Sequence, residues 1–90
     1  MKILKDSVFI QNLFEILYFI KNDSPRAAQK FEKELKDKFQ VLKQNPYMYK
    51  QSIYFEDESY RDLIHKGYTI IYKIKKEKIL ILEIFKWQDR

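Results

Sequence analysis

The stretch Tyr60–Phe85, YRDLIHKGYTIIYKIKKEKILILEIF, decides the fold: apolar alternation, β-branched enrichment and one charged interruption make it read as three consecutive strands. In its middle run, Tyr68, Ile70, Tyr72 and Ile74 fall on one side of a period-two strand, and Thr69, Ile71, Lys73 and Lys75 on the other. The first side is meant for a core. The next run, Ile79 to Phe85, is apolar on both sides, with Leu80, Leu82 and Ile84 opposite Ile79, Ile81 and Phe85. That predicts an interior strand covered, at least in part, on both faces. Lys75, Lys76, Glu77 and Lys78 predict a hairpin turn whose type stays open, since no Asn-Gly or Asp-Gly signal is present. Tyr60 to His65 pairs ahead of Gly67, the only glycine, which is expected at positive φ where the backbone reverses.

Upstream, Ile3 and Leu4 between lysines predict a short opening edge strand. Asp6 or Ser7 then caps a helix, its side-chain oxygen accepting from a first-turn N–H. Ile10, Leu13, Leu17 and Ile20 follow at helical spacing, and Phe9, Phe14, Ile16 and Tyr18 widen the apolar arc beyond one stripe. Such a helix is expected to be nearly buried, or partly covered by something else. Asn22, Asp23, Ser24 and Pro25 make a stop and restart, with Ser24 as N-cap and Pro25 in the first turn. The second helix runs from Pro25 to about Lys43, with Ala28, Phe31, Leu35, Phe39 and Leu42 inward and the pairs Glu32–Lys36 and Glu34–Lys38 outward. Ala27 and Ala28 permit close approach of the two helices in an antiparallel hairpin. Asn45 and Pro46 end it. Tyr47 to Ser59 is expected to be an ordered loop laid on the core by Tyr47, Met48, Tyr49, Tyr54 and Phe55, or else a functional surface loop, ahead of the acidic Glu56, Asp57 and Glu58.

The fold class is therefore α+β: a short N-terminal strand, then an antiparallel helical hairpin packed on a three- to four-stranded antiparallel sheet, in one domain over residues 1–90. At this length roughly 60–65% of the unfolded surface is buried, so each long apolar side chain counts. Eighteen Lys and Arg against 13 Asp and Glu give a formal charge of +5, which favours acidic partners. The face opposite the hairpin is expected to hold a cationic hollow. The absence of cysteine and the single histidine exclude disulfides and Cys or His zinc sites, and no cofactor is implied. No signal-peptide order is present and no apolar run reaches the ~20 residues of a membrane span, so no membrane partner is expected and the cytoplasm is the default location.

This order of elements resembles the RelE/ParE superfamily of toxins from bacterial type II toxin-antitoxin systems, and the local matches lie closest to the ParE branch. SPRAAQKFEKEL, Ser24 to Leu35, is similar to that branch's second helix, and Asn45-Pro46 sits where the branch has a proline after the hairpin. YRDLIHKGYTIIYKI, Tyr60 to Ile74, resembles its R-x-L, spacer, G-Y-x-I-x-Y-x-I core, and ILILEIFKW, Ile79 to Trp87, its last strand. The resemblance implies growth inhibition, a role in plasmid stabilization, a cognate acidic antitoxin as partner, and access to operator DNA only through that antitoxin.

Two targets follow from the two branches. ParE-like toxins bind DNA gyrase and trap its cleaved DNA complex without nuclease chemistry. RelE-like toxins are messenger RNA interferases that act on the ribosome. In the nucleases a catalytic arginine usually follows the G-Y tyrosine, and here that position is Thr69; ParE-like sequences also usually carry it. Cleavage by 2′-hydroxyl attack needs a proton acceptor, a proton donor and cations on the phosphorane. The candidates for a functional surface are Arg61, His65, Lys86 and Arg90, with Trp87 packed on the sheet edge or part of that surface. A sparse nuclease set favours the gyrase target, with the ribosome and mRNA as the alternative. A degenerate member keeping only antitoxin or operator binding is the third possibility.

Overall fold

The computed structural model describes residues 1–86; Trp87, Gln88, Asp89 and Arg90 lie outside the described residues, and so do the expectations placed on Trp87 and Arg90. The chain runs β1 (Lys2–Lys5), α1 (Ser7–Asp23), α2 (Pro25–Gln44), β2 (Tyr60–His65), β3 (Tyr68–Lys75) and β4 (Lys78–Lys86). The strands form one sheet in the order β1-β4-β3-β2, and the helical hairpin covers one face of it.

The α+β expectation holds, with one correction to the sheet: β1 pairs parallel to β4, and only the other two pairings are antiparallel. Alternation tells which side of a strand is buried and carries no direction. Here the whole hairpin lies between β1 and the meander, a connection long enough for a parallel pairing. Ile3 faces the core, and the Asp6 N–H donates to Ile81 O at 2.8 Å, fixing the exit from β1.

Both helix starts follow the capping rules. Asp6 accepts from Val8 N at 2.8 Å, and Ser24 Oγ accepts from Ala27 N at 3.1 Å. On α2, Ala28, Phe31, Leu35, Phe39 and Leu42 are all buried, as their spacing predicts. Of the two expectations for α1, a nearly buried helix is overturned, for only Phe9 is buried. Leu13, Ile16, Leu17 and Ile20 pack partly on the core beside it, whereas Ile10, Phe14, Tyr18 and Phe19 are exposed. One face suffices against a single sheet, so the surplus stays outside. The expected pairs Glu32–Lys36 and Glu34–Lys38 are not among the ion pairs of the described residues. Glu34 meets Lys66 at 2.6 Å instead, and the Lys38 ammonium donates to Ile64 O at 3.0 Å, because the β2–β3 turn comes alongside α2.

That turn has two residues, Lys66 at φ 49° and Gly67 at φ 84°. Positive φ at both is the type I′ geometry whose twist matches paired strands. A Cβ at Gly67 would meet nothing within 4 Å, so glycine is needed there for φ alone.

In β3 both faces are buried through Tyr72: Tyr68, Ile70 and Tyr72 under the helices, Thr69 and Ile71 on the other side. The strand β4 is interior as expected, but its alternation breaks. Ile71 pairs with Glu83 and Tyr72 with Ile81, leaving Leu82 as an extra residue. This bulge reverses the facing beyond it. Ile84 therefore joins Ile79 and Ile81 in the core, where strict alternation had set it opposite them.

Candidate functional site

The loop between α2 and β2 is ordered and held from several directions. The Tyr72 hydroxyl donates to Pro46 O at 2.8 Å, and burial pushes that phenol up, well beyond its usual range. Ser52 N donates to Tyr60 O at 2.7 Å and Asp62 N to Lys50 O at 3.2 Å, so residues 50–52 cap the first half of the β2 edge. The Tyr49 ring meets Tyr72 edge-on at 6.4 Å, and Phe55 stacks on Tyr60 at 4.0 Å.

Arg61 belongs to this arrangement. Its Nε donates to Glu58 O at 2.8 Å and its Nη1 to Tyr49 O at 3.0 Å, with the guanidinium 5.1 Å over the Tyr47 ring. The planar fork suits two carbonyls at different points of one loop. Its contacts make it a brace.

His65 is buried. Its Nε2 lies 3.1 Å from Phe31 O, the tautomer with hydrogen on Nε2 making this a donated bond, and its ring meets Phe31 edge-on at 4.6 Å. Nδ1 is buried without a hydrogen-bond partner among the described residues. Burial holds the imidazole below its usual pKa, and nearby Lys38 and Lys66 push the same way against the Phe31 carbonyl and Glu34. The neutral ring is thus the form the fold accepts. A depressed folded pKa gives stability that is present above the unfolded pKa near 6.5 and is lost as pH falls through the folded value. The melting temperature is expected to drop between pH 7 and pH 5, and His65→Leu should shrink that drop. An unchanged pH profile in His65→Leu would assign the acid sensitivity elsewhere.

Lys86 ends β4 with its ammonium 5.7 Å over the Phe19 ring and 5.9 Å over Tyr68. It borders a depression of about 420 Å³ that also touches Asn12, Glu15, Phe19 and Phe85. The structure does not bring the described candidates together. Arg61 and His65 stand four residues apart on β2, ~13 Å along the strand, and Lys86 lies in the row of His65 but two strands away across Tyr68, ~10 Å off. Thr69 is buried. Among the described residues no three His, Asp or Glu side chains are grouped to hold a metal.

The hollow on the sheet face away from the helices is corrected in character. It measures about 730 Å³ and its walls are Met48, Tyr49, Ile53, Tyr54, Ile64 and Thr69, with Lys50 as its one cation and Asp62 as its one carboxylate among the described residues. It is apolar and near neutral because the lysines of the outer face stand elsewhere on the sheet. A second apolar surface is the part of the α1 arc that the sequence reading left to be covered by something else, though without saying which residues it comprises. Ile10, Phe14 and Tyr18 form an exposed stripe on α1 beside a groove shared with Ala28, Gln29 and Glu32 of α2. The i, i+4, i+8 spacing was its signal, hidden because the same residues also fit a wide inner arc.

Among the described residues no helix is long and apolar enough to cross a membrane. The family model of the ParE toxin of the type II toxin-antitoxin system parDE matches residues 6–89. No curated protein matches the sequence. Nine solved chains are similar, among them one described as a chromosomal ParDE toxin-antitoxin system from P. aeruginosa. It has a TM-score of 0.74 and 18% identity over 96% of this chain and 95% of that one, a likeness of fold.

Proposed function

The chain belongs to the ParE family of type II toxin-antitoxin toxins, and we propose that it arrests growth in the cytoplasm by binding DNA gyrase, without nuclease chemistry, until a cognate acidic antitoxin silences it. The observation that carries this reading is the employment of the candidate residues. Arg61 is engaged by two loop carbonyls, and His65 is enclosed in the core with its Nε2 on Phe31 O. Thr69 fills the position where the nucleases carry an arginine. In-line attack on a phosphodiester needs an accessible acid, base and cation converging within hydrogen-bond reach, and among the described candidates Arg61 and His65 are committed elsewhere.

Support for the antitoxin comes from the α1 stripe. An amphipathic helix laid along Ile10, Phe14 and Tyr18 would bury three large side chains that the monomer leaves in water, with Lys21 at the rim for an acidic residue. Expression from a tight promoter tests the target. Gyrase supercoiling should be inhibited by the purified chain while translated transcripts stay intact. Cut transcripts with unaffected supercoiling would establish the ribosome-dependent ribonuclease instead, and the absence of growth arrest would leave a binding-only member. For the antitoxin, Phe14→Ala is expected to weaken toxin binding at least tenfold, the range of a central aromatic anchor of about 2 kcal/mol.

A further inference from the structure

We propose that the end of the sheet where β1, β4 and β3 lie side by side is a contact surface for the sugar-phosphate backbone of double-stranded DNA, used without regard to sequence. The register sets Lys2 beside Lys78, and Lys78 beside Lys75. Their chain neighbours Ile3, Ile79 and Ile74 pack in the core, so the three lysines project from the face away from the helices. All three are exposed, and Lys76 stands in the connecting turn at φ 49°. With strands ~4.8 Å apart, the three stems rise within ~10 Å of one another.

Like charges opposed on neighbouring strands destabilise a sheet, so such a row is a cost to the isolated fold. Among the described residues no ion pair offsets it, the two present being Lys33–Asp37 and Lys66–Glu34, and Glu77 is the one carboxylate in the turn. Around the sheet edge, Lys5, Lys36 and Lys43 border a further depression next to Lys2. This end thus gathers seven lysines, against a net charge of +5 for the whole chain.

Three features select duplex DNA among polyanions. A single strand is held by base stacking on aromatic rings, but the depression beside the row has none in its lining, and Tyr60, opposite Lys73 on the neighbouring strand, is stacked on Phe55. A protein partner would need a cluster of apolar anchors, whereas among the described residues the exposed apolar groups beside the row are Met1, 42% exposed, and Leu4, 37% exposed, with Leu80 less exposed. Reading of bases takes bidentate donors, and a row of lysines offers point charges, so the contact is to phosphates. Operator recognition by an antitoxin is a separate matter. The inference neither requires gyrase as the target nor follows from it.

Fluorescence anisotropy of the full chain with a short fluorescein-labelled duplex of arbitrary sequence tests it. Three phosphate contacts predict a slope of log affinity against log salt near −2.7, which is about 40-fold between ~50 and ~200 mM salt. K2Q/K75Q/K78Q should weaken binding more than tenfold and flatten the slope, with a melting temperature unchanged or raised by relief of repulsion. The single change K78Q should lower the slope by about 1. R26Q/K30Q/K33Q, an equal change of charge elsewhere, should leave both quantities near those of the parent. Equal weakening by the two triple variants would reduce the effect to net charge and overturn the proposal. Displacement of the duplex by poly-glutamate at matched charge would overturn it too, assigning the row to an acidic protein segment.

Discussion

Replacing Phe9 by alanine is expected to cost about 3–5 kcal/mol, the range for deleting a fully enclosed aromatic ring. Phe9 has no exposed surface and is the only buried residue of α1, its ring centre 6.0 Å from that of Phe39 on α2. No other side chain of α1 reaches as deep, so the cavity would open where helix, hairpin partner and sheet meet. A small domain has about 5–15 kcal/mol of stability in total, and each kcal/mol moves the melting temperature of a domain this size by about 4–8 °C. The variant should therefore melt at least ~12 °C lower, with the denaturant midpoint reduced and the m-value unchanged. Phe14→Ala is the control. Phe14 is 66% exposed, and its loss should stay within about 0.5 kcal/mol. If the two variants were equally destabilised, the inward face of α1 would have been assigned wrongly.

That pair of phenylalanines also shows where the sequence was legible. On α2 the apolar residues keep to one spacing among charged ones, so the buried face reads off directly as Ala28, Phe31, Leu35, Phe39 and Leu42. On α1 the apolar residues cover most of the circumference, and hydrophobicity alone cannot rank Phe9 above Ile10. Burial there depends on which side meets the sheet, a tertiary fact. The meander was legible because period two is local, and the Gly67 turn because positive φ has a residue signature. The parallel pairing of β1 and the bulge at Leu82 were not, since both depend on what lies across the ladder.

The candidate site was the least legible part, for a related reason. Arginine and histidine are read as chemistry when they stand in a motif, yet the same donors serve backbone carbonyls equally well. Phe31 O and the carbonyls of Glu58 and Tyr49 have no trace in the residue types that carry them. The cationic surface was expected from the charge but misplaced. The lysines cluster at the β3–β4 turn and along β1, while the hollow under the 45–59 loop is lined by Met48, Ile53 and Ile64.

Arg61→Ala should accordingly act on the loop first and on toxicity only through it. Hydrogen bonds from a charged donor are worth roughly 1.5–3 kcal/mol each, and both acceptors, Glu58 O and Tyr49 O, would lose this partner. A loss of about 2–4 kcal/mol is expected, since exposure of part of the site lets water replace one bond. The segment 47–59 should become the preferred site of limited proteolysis, its connection to β2 reduced to the Gln51–Arg61 backbone bridge, the Asp62 carboxylate on Ile53 N and the Phe55–Tyr60 stack. Arg61→Lys keeps the charge but can span only one of the two carbonyls, so it should fall between the parent and the alanine variant. At a temperature where Arg61→Lys is fully folded, it should inhibit growth as the parent does. If Arg61→Ala instead kept the parent's stability and protease resistance while inhibition disappeared, Arg61 would be acting on the target, and its place among the functional residues would be restored.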